Sequence, residues 1–412
     1  MITLFKMVLC LILMIMLLRK GIQIGHTVFV SSIFLFLINE PNLQDLLTAT
    51  QNTILSTTTW NMVITLYFVM CLENLLRTSG ILKRFTAAAR RISGSDRVLL
   101  AFMPSFLGFL PSLGGAIFSA PMVKEAGYKY NLSAELNTSI NYWFRHIWQF
   151  CNPILPAILL ASAITQIPLN QLIAHQLIFS LFALVLGILF LLCGKAYANH
   201  PLEDLEKPKE TSSVDSYSTR DLCNSIVLAG GPILANILLI LLFNMNTSLS
   251  MGLVLLIMIF ILKLNTSQIK KIISSSLNFR IQWGIISILF FQSILQVTGI
   301  IDEIISFLQT SGIPVATVVC LTAFIVAFST SIDQTYVAVT FPLIGPLSAG
   351  GSLDIVAMAY LCGTAGMMLS PTHLCLLISI EYFKADFFKS LKPIIFMEIL
   401  MICFGFTYLY LF

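Results

Sequence analysis

Apolar residues in this chain fall in long runs separated by short polar segments. The runs cover 2–18, 22–38, 58–77, 97–123, 139–164, 171–193, 224–243, 248–262, 281–300, 314–347, 353–380 and 393–411. An α-helix needs about 20 apolar residues to cross a bilayer, so the pattern predicts an all-α polytopic membrane protein. The first run ends in Arg19-Lys20 rather than in small residues, and it reads as a retained span and not as a cleaved signal. The only long polar stretch, HPLEDLEKPKETSSVDSYSTRDL at 199–221, reads as a cytoplasmic linker between two membrane halves, 1–198 and 222–412.

Two runs are too polar or too broken for a straight lipid-facing helix. Residues 97–123 contain Pro104, Gly108, Pro111, Gly114, Gly115 and Pro121, and 314–347 contain Ser329, Thr330, Ser331, Asp333, Gln334, Thr335, Pro342 and Gly345. Irregular backbone at membrane depth persists only where protein buries it or where it lines a cavity. Both runs are therefore expected to be re-entrant hairpins, with a kinked ordinary span as the alternative. That leaves about ten crossings.

Composition agrees with this class. Charged residues are 10% of the chain and hydrophobic residues 57%, with a mean hydropathy of +0.91. Soluble domains carry about 25% charge, so a soluble enzyme, a nucleic-acid binder and a disordered protein are excluded. The nine cysteines form no C-x-x-C pair and suggest neither a zinc ribbon nor a disulfide framework. Charge placement says more. In the ten-crossing layout one set of loops holds nearly all the Lys and Arg, while 39–57, 165–170, 244–247, 301–313 and 348–352 hold none. Basic loops stay cytoplasmic, so both termini are expected outside the cell membrane and the linker inside.

The halves resemble each other at an offset of about 219. ENLLRTSGIL (73–82) aligns with QSILQVTGII (292–301), and CNPILPAILLA (151–161) with LSPTHLCLLIS (369–379), placing Pro153 on Pro371. Five crossings per half make the second copy inverted, the recurring plan of secondary transporters with broken helices.

The patterns PSLGGAIFSAP, FCNPILPAILLASA, FSTSIDQT and GTAGMMLSPTHLCLLISIEYF resemble a prokaryotic integral membrane family of unknown function within the ion transporter superfamily. The resemblance covers nearly the whole chain. It implies a scaffold that dimerises, hence a homodimer, and a transport domain that holds both hairpins and moves as an elevator. Divalent-anion symporters of that superfamily place a Ser-Asn-Thr triplet at each hairpin tip. This chain has Pro111-Ser112-Leu113-Gly114 and Ser331-Ile332-Asp333-Gln334-Thr335 there, so neither a dicarboxylate substrate nor a two-sodium scheme carries over.

Candidate binding residues follow from the breaks. Asp333, among Thr330, Ser331, Gln334 and Thr335, offers a carboxylate with hydroxyls and freed carbonyls, which suits Na+ or a proton. The alternative is a helix cap. His373 lies in Ser370-Pro371-Thr372-His373, after Gly363, Thr364 and Gly366. It suits proton relay or anion contact, or else a structural hydrogen bond. Asn152-Pro153 is the matching break in the first half. Ser112, Gly114, Gly115 and Ser119 suit a tight tip whose backbone N–H groups approach an anion. Arg145-His146 reads as a cytoplasmic-end anchor at the start of a crossing, or as an anion contact. Glu73 reads as an i,i+4 partner of Arg77, and Glu398 has no evident partner.

No nucleotide-binding, zinc-protease or nucleophile-elbow motif occurs. The expectation is an ion-coupled secondary transporter of a small organic or inorganic anion, driven by Na+ or H+ and needing no other cofactor. Its partners would be that solute and the lipid bilayer, with no nucleic acid. The alternatives are a cation/proton antiporter exchanging at Asp333 and a membrane-embedded enzyme. The enzyme would need paired carboxylates or a Ser–His pair on facing helices.

Overall fold

The computed structural model describes residues 2–39, 42–81, 84–85, 88, 95–109, 116–128, 130–194, 197, 219–300, 303, 306, 310–311, 314–344 and 353–411. Among these residues there is no strand. The first half runs α1 (Ile2–Arg19), α2 (Ile24–Ile38), α3 (Leu43–Ile54), α4 (Thr57–Thr78), α5 (Asp96–Gly108), α6 (Ala116–Tyr128), α7 (Ala134–His146), α8 (Pro156–Thr165) and α9 (Leu169–Gly187). A π-helical turn, Ile188–Leu192, extends α9. The second half runs α10 (Thr219–Phe243), α11 (Thr247–Ile261), α12 (Thr266–Ser275), α13 (Phe279–Val297), α14 (Val315–Thr330), α15 (Asp333–Thr340), α16 (Leu353–Leu369), α17 (Leu374–Phe383) and α18 (Phe387–Leu411).

Five helical segments among the described residues are long and apolar enough to cross a membrane: Thr57–Thr78, Leu169–Leu192, Asn224–Phe243, Phe279–Val297 and Leu353–Phe383. Large apolar side chains stand on the outside of the molecule, among them Phe260, Phe279 and Phe388 at 79%, 72% and 78% exposure. Outward apolar surface of this extent is compatible with a membrane protein, because a soluble chain buries such groups.

The proline-marked breaks fall where the sequence places them. The run 139–164 divides into α7 and α8, with Asn152-Pro153 in the gap, and 353–380 divides into α16 and α17 around Ser370-Pro371-Thr372-His373. Pro lacks a donor and turns the preceding residue away from the helical region. Pro156 then starts α8 at a position where its missing N–H costs nothing. The run 314–347 breaks at Ser331, which takes the left-handed conformation (φ 60°), before α15 begins.

Two polar loops of the sequence reading are corrected. Segment 39–57 contains α3, whose Asn42 side chain accepts from the Gln44 N–H, and 263–280 contains α12, opened by a capping box between Asn265 and Gln268. Both are amphipathic and pack a narrow face on a neighbour, α3 on α13 and α12 on α4. Of the linker reading, 199–218 lies outside the described residues, and 219–221 already belongs to α10.

Within the halves α5 packs on α6 and α7, and α14 packs on α15 and α16. Between them, α2 packs on α13 and α11 on α4; α7 packs on α18 and α16 on α9; α8 packs on α15 and α17 on α6. Glycines permit the closest approaches. A Cβ on Gly108 of α5 would overlap the Arg145 carbonyl of α7, and one on Gly366 of α16 would overlap the Phe324 carbonyl of α14. Backbone cannot yield as a flexible side chain does. Gly108→Ala and Gly366→Ala should each cost about 1–3 kcal/mol by overpacking and lower the melting temperature in detergent. Gly230→Ala, whose new Cβ would have its nearest neighbour 3.9 Å away, should leave it unchanged.

Candidate functional site at the helix breaks

A helix interrupted inside an apolar body leaves its last carbonyls without intrahelical donors. Here side chains supply those donors, and each does so with a counterpart in the other half. Buried Tyr142 of α7 donates from its hydroxyl to the Met368 carbonyl at the end of α16 (2.9 Å). Buried Tyr360 of α16 donates to the Gln149 carbonyl just past α7 (3.3 Å). Each break residue serves the helix two places before the one it follows. Asn152 Nδ2 donates to the Phe109 carbonyl at the end of α5 (2.9 Å), and Ser370 Oγ donates to the Phe328 carbonyl near the end of α14 (2.6 Å). Asn152 Oδ1 then accepts from the Ile154 N–H, and Ser370 Oγ from the Thr372 N–H.

Around the second break the sequence candidates converge. Ser331, Ser370 and Thr372 bring three hydroxyls together: Ser331 bonds both others, and Ser370 and Thr372 stand 3.1 Å apart. These bonds offset the cost of left-handed backbone at a non-glycine residue. Asp333 opens α15, where the helix dipole favours negative charge. Its Oδ2 accepts from Gln149 Nε2 at 2.6 Å, and its Oδ1 from the Gln334 N–H at 3.0 Å. Asp333 is therefore at the first helical position, with Ile332 as the cap residue. The partner from the first half is Gln149, which nothing local in the sequence marks.

His373 precedes α17 and is buried. Its Nε2 lies 3.3 Å from His146 Nε2, and the His146 Nδ1 faces the Tyr142 carbonyl at 2.7 Å. This overturns the reading of Arg145-His146 as an anchor at the start of a crossing. Helix α7 begins at Ala134 behind a Ser133 cap, so the pair stands at its C-terminal end, 6% and 8% exposed. Cys375 joins the two imidazoles, a third group that the sequence reading left among the inert cysteines. Arg145 donates to the Leu107 carbonyl and lies in the electrostatic neighbourhood of Cys375 and Glu73, the latter also facing Arg77.

The remaining candidates are spread more widely. Thr364 meets the Tyr336 hydroxyl at 3.3 Å. Thr335 is buried, and its hydroxyl has no hydrogen-bond partner among the described residues. Asn152 holds the first break against α5 rather than facing the hydroxyl cluster. Ser112, Gly114 and Gly115 lie outside the described residues. Glu398 of α18 is buried with Oε2 unpartnered among the described residues, and it lines a small cavity with His146 and Thr364.

Fold and site together define an all-helical chain with long apolar helices, compatible with a membrane protein, whose polar groups gather at helix interruptions. The chain belongs to a family described as "Protein of unknown function (DUF401)", whose model matches residues 1–411. No curated protein matches it.

Removing one tyrosine hydroxyl leaves a buried carbonyl without its donor. Tyr142→Phe and Tyr360→Phe should each cost about 0.6–1.7 kcal/mol, the range for hydrogen bonds between membrane helices. Thermal melts of the purified variants should show both losses, larger in the double variant than in either single one.

Proposed function

We propose that the protein is an ion-coupled secondary transporter of a small anion, built from two inverted repeats that bring discontinuous helices to a shared site. The observation that carries this reading is the reciprocal set of contacts at the two breaks, gathered beside one carboxylate. Support for the repeat comes from the helix boundaries. Pro156–Thr165 and Leu374–Phe383 are both ten residues long and stand 218 positions apart, as do the starts of α9 and α18. Left-handed residues recur at matching places, Gly80 with Gly299 and Gln166 with Lys384. Tyr142 and Tyr360, Asn152 and Ser370, and the acceptors Phe109 and Phe328 all recur at 218 or 219. The crosswise pairings are those a pseudo-two-fold requires.

In this reading α5–α6 and α14–α15 are the two re-entrant hairpins, and the remaining helices supply about ten crossings. Arg145 and the N-terminal ends of α15 and α17 supply positive potential for an anion. Asp333 and the hydroxyls of Ser331, Ser370 and Thr372 offer oxygens to the coupling cation, Na+ or H+. A second reading, cation/proton antiport, is favoured by the direct partners of Asp333. They are a neutral amide and a backbone N–H, which leave the carboxylate's charge for a cation. The elevator motion and the homodimer are part of the proposal through the superfamily resemblance.

Asp333→Asn keeps the shape but cannot ionise; its Oδ1 still accepts from the Gln334 N–H, and its Nδ2 donates to Gln149 Oε1 once that amide turns over. It should reduce gradient-driven uptake or exchange in proteoliposomes to background while leaving the melting temperature equal or higher. Wild-type rates with unchanged ion dependence would reduce Asp333 to a structural residue. Anion uptake driven by inward Na+ or H+ supports the first reading, and cation release without anion flux supports the second.

Topology has its own test. Single cysteines within 43–54 should react with an impermeant thiol reagent added outside intact cells, and cysteines within 199–218 should react only after permeabilisation. Labelling of position 45 solely from the inside would reverse the orientation.

A further inference from the structure

We propose that His146, His373 and Cys375 form a binding site for a thiophilic divalent cation of the zinc class. The inference does not depend on what the protein transports. Each residue offers one ligand atom, and the three atoms lie within 4.8 Å of one another. The histidine pair already has the spacing a metal requires. Two nitrogens each about 2.0–2.1 Å from one zinc at a tetrahedral angle stand about 3.3–3.4 Å apart, and the two Nε2 atoms are 3.3 Å apart. Only the thiol has to draw in.

The surroundings prepare the ligands. His146 Nδ1 faces the Tyr142 carbonyl, which fixes the proton there and leaves the Nε2 lone pair free. Without a metal, that lone pair accepts from His373 Nε2–H, and His373 Nδ1 is then a buried acceptor with no partner among the described residues. A metal on His373 Nε2 reverses this. The proton moves to Nδ1, and the Ser331 carbonyl stands near the His373 ring. The metal-bound arrangement thus turns Nδ1 from an unpartnered buried acceptor into a donor.

Charge is also accommodated. The Cys375 thiolate cancels one of the two positive charges. The Arg145 guanidinium beside Cys375 is opposed by the Asp333 carboxylate near His373. Pro371, Thr372 and Leu374, the chain neighbours of His373, are exposed. Three protein ligands leave the fourth tetrahedral position to water or a small anion. The bound ion would clamp the end of α7 to the start of α17, joining the two halves of the chain.

The test uses full-length protein in detergent, stripped with a chelator and dialysed against Zn2+ or Co2+. One Zn2+ per chain should remain by elemental analysis. The Co2+ form should show tetrahedral d–d bands and a thiolate-to-cobalt charge-transfer band. Cys375→Ser should lose the charge-transfer band, and His373→Gln should weaken binding by more than the roughly 10–100-fold that loss of an outer-shell partner costs. Cys403→Ser, an exposed cysteine elsewhere, should change nothing. Melts of the metal-free variants establish that they fold, and Cys375→Ala repeats the thiol test without a hydroxyl. Equal Zn2+ content in wild type and both Cys375 variants, or a Co2+ spectrum lacking the thiolate band, would overturn the site.

Discussion

The backbone carbonyls released where α7 and α16 stop must find donors, and the rest of the architecture follows from how they do so. An unpaired carbonyl in apolar surroundings costs several kcal/mol. Water is not at hand, so side chains have to be brought in from elsewhere in the chain. Tyr142 and Tyr360 can do this only if the ends of α7 and α16 come within reach of each other's tyrosine side chains. Asn152 and Ser370 can do it only if the first break touches the end of α5 and the second the end of α14. Four donors thereby fix the relation of α5, α7, α14 and α16, and Gly108 and Gly366 let those helices come close enough for the bonds to form.

That frame sets the chemistry. Crossing the two breaks places the end of α7 beside the start of α17, and it is this juxtaposition that brings His146 to His373 and Gln149 to Asp333. Polar residues that would be costly alone in an apolar region are tolerable as a mutually bonded set. The hydroxyls of Ser331, Ser370 and Thr372 illustrate the point, because each serves as a partner of the others.

Much of the helical layout was legible in the sequence because apolar runs and prolines are local signals. Pro153, Pro156 and Pro371 mark both breaks, and the αL turn at Ser331 lies inside the polar stretch that marked the run 314–347. Helices α3 and α12 were hidden because their polar faces lower their mean hydropathy below that of a span. The Asn265–Gln268 capping box was nevertheless there to be read. Arg145 and His146 were misplaced because charge next to an apolar run looks like an interface, whereas here α7 starts well upstream and buries them at its far end. Gln149 and Cys375 carried no local mark. The partner of Gln149 lies 184 positions away, and Cys375, two residues from His373, gains its meaning only from His146 of the other half, so the folded topology identifies both.

In the proposed repeat, the two halves match in helix boundaries more closely than in charge. At the offset that pairs Tyr142 with Tyr360, Asp333 corresponds to Gly115, and Gln149 to Met367. The carboxylate and its amide thus form a single couple spanning the halves, with no mirror image. In a membrane the Asp333 carboxylate would have no repeat-related charge to balance it, and among the described residues its one cationic neighbour at the site is Arg145. A full charge moved through a 100 mV potential exchanges about 2.3 kcal/mol with the field. A carrier that shuttles with Asp333 bare would accordingly be driven by voltage, and one that shuttles with Asp333 neutralised by a bound cation would be indifferent to it. Membrane voltage is therefore a force that can act directly on this one residue.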